Sequence, residues 1–274
     1  MSKYRLMAVD MDGTLLNEHH EISCHTEETI RRAVEQGKYV VPCTGRNLAE
    51  LLDYEAYFPL FRYSIQANGT TVYDHIQQRP VSRLRMDDEE LRYIYEVIQR
   101  RDTMTQMFIE GKGYLDKKDS SCLPHYRISE GVSRMYERRM IWREDLWEWV
   151  LREHIPVEKI AIFYYDIDQQ NEDWKLFERR DVTLTQATYD IVEISHRDSG
   201  KGAGLRRLCE VLGIPLEETI AAGDGPNDLA MLETAGFAVA MDNACDEVKS
   251  IADWIAPSCY DDGVAAAIEQ LLLD

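Results

Sequence analysis

Two aspartates, Asp10 and Asp12, stand two positions apart in MAVDMDGTLL, at the end of a short apolar run. In an extended segment side chains at i and i+2 point the same way. Both carboxylates can therefore face one cleft at the carboxyl end of a strand, where open α/β sheets bind ligands. Like charges held that close call for a cation, and carboxylate and carbonyl oxygens suit a hard divalent ion, Mg2+ foremost. A solvent-exposed Asp-Gly turn accounts for DMDGT alone equally well, so the choice falls to the rest of the chain.

Three further stretches bear on it. VVPCTGR sets Thr44 and Gly45 just after a second apolar run. A hydroxyl and a backbone N–H there can hold a phosphoryl oxygen, although such a threonine is more often only a turn or cap residue. IAAGDGPNDLAML is the most specific local pattern: Asp224 ends an apolar run, and two glycines let the backbone approach a ligand. Asn227 and Asp228 then fall at the expected start of a helix, where partial positive charge favours anions. An ordinary loop capped by Asp228 explains that residue but does not require Asp224. Lys201, between Gly200 and Gly202 in DSGKGAGL, can neutralise a phosphate or a carboxylate, while a single lysine is otherwise an ordinary surface residue.

These residues need elements to hold them. Residues 4–9 read as a buried strand, and Ile30, Ala33 and Val34 repeat at helical spacing between Thr26, a cap, and Gly37, a stop. YVVPCTGR follows as a second strand, a helix is expected from residue 48 to about 58, and YSIQANG reads as a third strand closed by an Asn-Gly turn. Such alternation predicts a Rossmann-like α/β fold, a doubly wound parallel sheet with helices on its faces. From residue 80 to 196 the style changes. Acids at 87–90 open a helix with Leu91, Ile94, Tyr95 and Ile98 on one face, and TMTQMFIEGKGYLD reads as a hairpin turning at Gly111 to Gly113. EKIAIFYY, VTLTQA and YDIVEIS are strand-like, with NEDWKLFERR as a helix between the first two. After Lys201 the alternation resumes, with strands at TIAAGD and FAVAM. The expected organisation is thus a core of residues 1–80 and 196–274 interrupted by an inserted α+β domain, 81–195.

Composition narrows the function. A chain of 274 residues with 45% hydrophobic content can build a sizeable core, and a net charge of -19 disfavours nucleic acid and anionic membrane surfaces as partners. Between residues 80 and 196 there are 18 Lys and Arg against 24 Asp and Glu, compared with 13 against 26 elsewhere. A phosphate-bearing ligand meets fewer repelling charges near Arg127, Arg134, Arg138 and Arg139, although a solvated basic face explains any one of them. The first apolar stretch stops after four residues at Asp10, too short for a secretory signal, and no run approaches membrane-spanning length. The six scattered cysteines form no zinc-like pair. Reduced thiols in a cytoplasmic protein are the expectation.

Taken in order, Asp10 and Asp12, Thr44, Lys201, and Asp224 to Asp228 give the chain a pattern that resembles the haloacid dehalogenase superfamily and, within it, the Cof-type phosphatases. Their four motifs are similar to DMDGTLL, TGR, the lysine of SGKGAGL, and GDGPNDLAML. ANGTTVYD, MDNACDEVKSIADWI and DDGVAAAI are similar as well. The likeness spans about residues 4–80 and 190–273; the insertion matches in position and size. Thr70 stands where alanine is usual, and HRDSGKG is more polar than the corresponding stretch.

The resemblance implies Mg2+-dependent hydrolysis of a small phosphomonoester, a sugar phosphate or similar metabolite, through an aspartyl-phosphate. Asp10 would be the nucleophile, and Asp12 would protonate the leaving alcohol and then activate water. Mg2+ would lie on the Asp10 carboxylate, the Asp12 backbone carbonyl and Asp224, with Asp228 in or near that shell. The phosphate would meet Thr44, Lys201, Asn227 and the backbone amides of Met11 and Gly45. The inserted domain would be a cap that selects the leaving group. A phosphomutase or phosphotransferase of the same superfamily remains open at this stage. So does a phospho-accepting signalling receiver, against which the proton-handling Asp12 argues.

Overall fold

A computed structural model describes residues 2–273. The first segment runs β1 (Leu6–Val9), α1 (Cys24–Glu35), β2 (Tyr39–Pro42), α2 (Leu48–Leu51), β3 (Tyr63–Gln66), β4 (Thr71–Asp74) and β5 (Arg79–Arg83). The middle adds α3 (Asp88–Ile98), β6 (Thr103–Ile109), β7 (Lys112–Asp116), α4 (Glu130–Arg139), β8 (Met140–Arg143), α5 (Leu146–Glu153), β9 (Lys159–Tyr164), α6 (Ile167–Phe177), β10 (Val182–Thr188) and β11 (Ile191–His196). The last segment gives α7 (Lys201–Leu212), β12 (Thr219–Gly223), α8 (Leu229–Leu232), β13 (Phe237–Met241), α9 (Asp246–Ile251), β14 (Trp254–Ala256) and α10 (Gly263–Ala267).

The chain divides into two compact units. The described residues through Gly45, Tyr54–Ser82 and those from Gly200 onward form the first; Arg46–Asp53 and Arg83–Ser199 form the second. The second unit therefore takes in an early excursion, Arg46–Asp53, besides the long insertion. The helix expected from 48 to about 58 breaks where the chain returns: α2 stops at Leu51, and the 3-10 segment Leu52–Tyr57 is interrupted at Tyr54 (φ -111).

In the first unit a five-stranded sheet has the order β14-β13-β12-β1-β2, every neighbouring pair parallel. All four residues of β1 are fully buried, as a strand covered by helices on both faces must be. Helix α1 starts where Ser23 Oγ accepts from the Thr26 N–H, and it buries Ile30 and Ala33. β3 does not extend the parallel sheet as its place in the alternation predicts. It pairs antiparallel with β4, because the four residues Ala67 to Thr70 are far too short for a parallel crossover. A single bridge, Cys43 to Ile65, joins it to the end of β2.

In the second unit six strands have the order β10-β11-β9-β6-β7-β8, antiparallel except for β7 with β8. Alternate residues divide between two faces. Met107, Ile160, Ile162, Val192 and Ile194 share a core with Leu91 and Ile94 of α3, Trp147 and Val150 of α5 and Phe177 of α6. On the opposite face Met104, Leu115, Met140 and Phe163 pack with Leu123, Tyr126 and Tyr136. The β6–β7 hairpin turns at Glu110 and Gly111, both at positive φ as a type I′ turn requires, one step earlier than the glycine spacing predicts. Gly113 lies within β7, where a Cβ would stand 2.1 Å from Met140 Sδ. Among the described residues no helix is long and apolar enough to cross a membrane.

Candidate active site

β1 lies between β12 and β2, with Val9 level with Ala222 on one side and Pro42 on the other. The ladders continue past the strands: Asp10 N donates to Ala222 O (3.0 Å) and Cys43 N to Val9 O (2.7 Å). The strand order reverses at β1, with β2 on one side and β12, β13 and β14 following on the other. The carboxyl ends of β1, β2 and β12 thus open onto the kind of crevice where such sheets bind ligands. This register puts Asp10, Thr44 and Asp224 at neighbouring strand ends.

Asp10 is nearly buried, and Lys201 Nζ donates both to its Oδ1 and to Asp228 Oδ1, the latter at 2.6 Å. Lys201 is the first residue of α7, and Gly200 before it adopts φ +125 while its N–H reaches Asn68 O at 2.8 Å. Asp228 is fully buried, and its Oδ2 accepts from the N–H groups of Asp224 (3.0 Å) and Gly225 (3.1 Å). Thr14 Oγ1 donates to Asp224 Oδ1 at 2.8 Å. One ligand oxygen from each of Asp10, Asp224 and Asp228 lies within 4.8 Å of the others. Gly13, at φ +82, permits this closeness: a Cβ there would stand 2.4 Å from Asp224 Oδ2.

Burying a lysine is costly unless its charge is met by hydrogen-bonded partners. Here burial works against the ammonium, but Asp10 and Asp228 outweigh it and hold the Lys201 pKa above the ordinary lysine value. Burial raises the Asp10 pKa; Lys201 opposes the rise and Asp228 adds to it. Asp224 is likewise raised by burial, with Thr14 pulling the other way. Three acids held with one lysine leave an excess of negative charge, which a divalent cation would relieve.

Asp12 stands apart from this cluster. Its carboxylate is about half exposed, 3.7 Å from His20 Nδ1. Its loop is tied down by Leu15 N to Asp10 O (3.1 Å) and Leu16 N to Met11 O (2.9 Å). Buried Thr44 donates its N–H to Ile65 O (2.9 Å) and accepts from Asn68 N (3.0 Å); a Cβ on Gly45 would meet Asn68 Oδ1 at 3.1 Å. Asn227 is exposed in the loop after β12. The helix expected after that loop is reduced to the four residues of α8, preceded by a 3-10 turn at Pro226–Asp228. Asp228 therefore braces the loop through two backbone N–H groups and does not cap a long helix. Thr14 and Asn243 escape a reading by charge and spacing because both are neutral. Thr14 orients Asp224, and Asn243 links two loops by donating to Gly13 O (2.8 Å) and accepting from Cys259 N (3.0 Å).

Comparison with known proteins agrees with this geometry. A sequence model of the haloacid dehalogenase-like hydrolases matches residues 7–268. The Bacillus subtilis 5-amino-6-(5-phospho-D-ribitylamino)uracil phosphatase YwtE is 32% identical over 98% of both chains, and the B. subtilis phosphatase YwpJ is 31% identical over 98% of this chain and 100% of its own. The solved structure of a haloacid dehalogenase-like hydrolase from B. subtilis superposes with a TM-score of 0.84 at 30% identity, covering 97% of this chain and 99% of that one.

Proposed function

The chain belongs to the haloacid dehalogenase-like hydrolases, and on that footing we propose that it hydrolyses a small phosphomonoester through a phosphorylated Asp10. The observation that carries the reading is the convergence of Asp10, Asp224 and Asp228 around Lys201 at neighbouring strand ends. The relative YwtE is named for a substrate whose phosphate sits on a ribityl chain. A phosphorylated sugar or polyol is accordingly the substrate class proposed here.

An all-carboxylate donor set fits a hard divalent ion. Asp10, Asp224 and Asp228, with Asp12 through its backbone carbonyl, would hold Mg2+, which supplies charge neutralisation for the transferring phosphoryl group. Lys201 holds Asp10 in place and adds positive charge beside it. The phosphate oxygens would rest against Thr44, Asn227 and the backbone N–H groups of Met11 and Gly45. An Asp10 oxygen attacks phosphorus while the ester P–O bond breaks, and the departing alkoxide takes the proton of Asp12. Asp12, now a carboxylate, removes a proton from water, and that oxygen displaces Asp10 to release inorganic phosphate. The partial exposure of Asp12 suits a group that must exchange protons with substrate and water in turn. The second unit would select the leaving group and exclude bulk water.

The test is phosphate release from a panel of sugar and polyol phosphates in the presence of Mg2+. Asp10→Asn is expected to abolish turnover with an unchanged circular dichroism spectrum, and Asp12→Asn to slow it by about 100-fold or more. Near-normal release by folded Asp10→Asn protein would refute the nucleophile. Isomerised sugar phosphate without free phosphate would replace hydrolysis by intramolecular transfer.

A further inference from the structure

The Asn-Gly turn between β3 and β4 is not where a hairpin tip normally sits. Connecting turns run over the surface, but Ala67, Asn68 and Thr70 are each at most 4% exposed. Asn68 (φ +53) and Gly69 (φ +83) take the left-handed conformations of a type I′ turn, closed by Thr70 N to Ala67 O at 3.3 Å. Ala67 before them has φ +49, a conformation that an alanine keeps only when its surroundings enforce it.

Those surroundings are two pieces of the candidate active site, both in the first unit. The Asn68 N–H donates to Thr44 O (3.0 Å), and Asn68 O accepts from the N–H of Gly200 (2.8 Å), the residue before Lys201. An extended residue points these two groups at one neighbour, whereas a helically twisted residue points them in opposite directions. The left-handed twist therefore lets a single residue stand between the TGR loop and the start of α7. The fit against α7 is close: Arg207 donates to Gly69 O, and a Cβ on Gly69 would collide with the Gly200 carbonyl.

The turn itself does not ask for the Asn68 side chain, because Gly-Gly forms a type I′ turn as well. The side chain is nevertheless buried against Gly45, where a Cβ would meet Asn68 Oδ1 at 3.1 Å. On the other side of that loop, Thr44 N donates to Ile65 O at 2.9 Å. We propose that Asn68 is a positioning residue for the phosphoryl group: its side chain holds the backbone of Gly45, and its peptide groups fix the TGR loop relative to Lys201. The inference rests on the phosphatase reading and takes it further by naming what sets the geometry of the phosphate-binding loop.

The experiment uses the full-length protein at saturating Mg2+. Asn68→Gly keeps the turn and removes the side chain; Asn68→Ala also removes it but leaves a Cβ in the left-handed region. Affinity for inorganic phosphate is read by titration calorimetry, and KM and kcat are measured for ribose 5-phosphate, glucose 6-phosphate and phenyl phosphate. Both variants should bind phosphate at least tenfold more weakly and raise KM by a similar factor for all three esters, since the displaced loop meets the phosphoryl oxygens and not the alcohol. The Mg2+ concentration for half-maximal rate should not change. Asn68→Ala should melt lower than the parent and Asn68→Gly close to it; if Asn68→Ala does not fold, Asn68→Gly decides alone. A purely structural role would make phosphate affinity follow thermal stability and leave Asn68→Gly like the parent. Parent-like phosphate binding and KM in Asn68→Gly, or KM changes confined to one ester, would overturn the proposal. If the parent releases phosphate from no compound the phosphatase reading falls, and calorimetry still decides: weaker binding in Asn68→Gly supports the positioning role, while equal binding, or none by the parent, overturns it.

Discussion

Thr14 makes a single hydrogen bond to Asp224, a partly buried acid whose pKa burial raises and this bond lowers. Groups that orient a metal-binding carboxylate commonly affect metal affinity by about 10–100-fold. Thr14→Val should accordingly raise the Mg2+ concentration for half-maximal rate by at least tenfold, read from initial rates across a Mg2+ titration, while circular dichroism stays unchanged. An unaltered Mg2+ requirement would show that Asp224 needs no such support. A second single residue sets acid stability. His75 stacks on Phe58 (centroids 4.0 Å apart), meets Tyr73 edge-on (5.2 Å) and has Nε2 2.8 Å from Ser64 Oγ, which itself accepts from Gln66 Nε2 at 2.8 Å. Burial pushes its pKa down to about 4, only partly opposed by Asp74. The folded protein keeps this ring neutral while the unfolded chain protonates it near its ordinary value. Its contribution is therefore complete above about pH 6.5 and is lost as pH falls toward 4. Allowing for the partly exposed ring, urea unfolding of His75→Gln should lose about 1 kcal/mol less stability than the parent between pH 7.5 and pH 5.

At the scale of elements, α7 carries Lys201 and approaches α8 closely enough to reverse an ordinary rule. Replacing a helical glycine by alanine normally stabilises by about 1 kcal/mol. At Gly202, however, a Cβ would stand 2.2 Å from the Ala230 carbonyl oxygen and 2.6 Å from Thr234 Oγ1. Overpacking against backbone costs about 1–3 kcal/mol or more, so Gly202→Ala should lower the melting temperature and, by shifting α7, the turnover with it. A raised melting temperature would mean that α8 yields freely. Such contacts mark the limit of what the amino-acid order discloses. The central strands and α1 are legible because apolar runs and helical spacing report burial directly, and the meeting of Asp10, Lys201, Asp224 and Asp228 is legible only from their order along the chain, since each stretch alone has an ordinary structural reading. The direction of β3 is not, since it depends on loop length and not on the strand's own residues. Nor is the early end of α2, which is set by where Asp53 hands the chain back to the first unit. Thr14 and Asn243 stay hidden because they act through position, without charge or periodicity.

For the molecule as a whole, a net charge of -19 repels the dianionic phosphate that the site is proposed to take. Salt at 0.15 M screens charges beyond about 8 Å, so it should weaken the distant repulsion more than the short contacts within the site. At fixed Mg2+, kcat/KM for a sugar phosphate is expected to rise about twofold between 10 and 150 mM NaCl, through KM. A fall over that range would show that attraction near the site governs encounter. The parallel placement of β1 against β12 also bears on how the protein comes into being. During synthesis β1 and β2 leave the ribosome roughly 200 residues before β12 does, an interval on the order of ten to forty seconds at usual elongation rates. Throughout that time one edge of a wholly apolar strand has no neighbour. The nascent chain is thus most vulnerable to aggregation, and most in need of a chaperone, before its last third has been made.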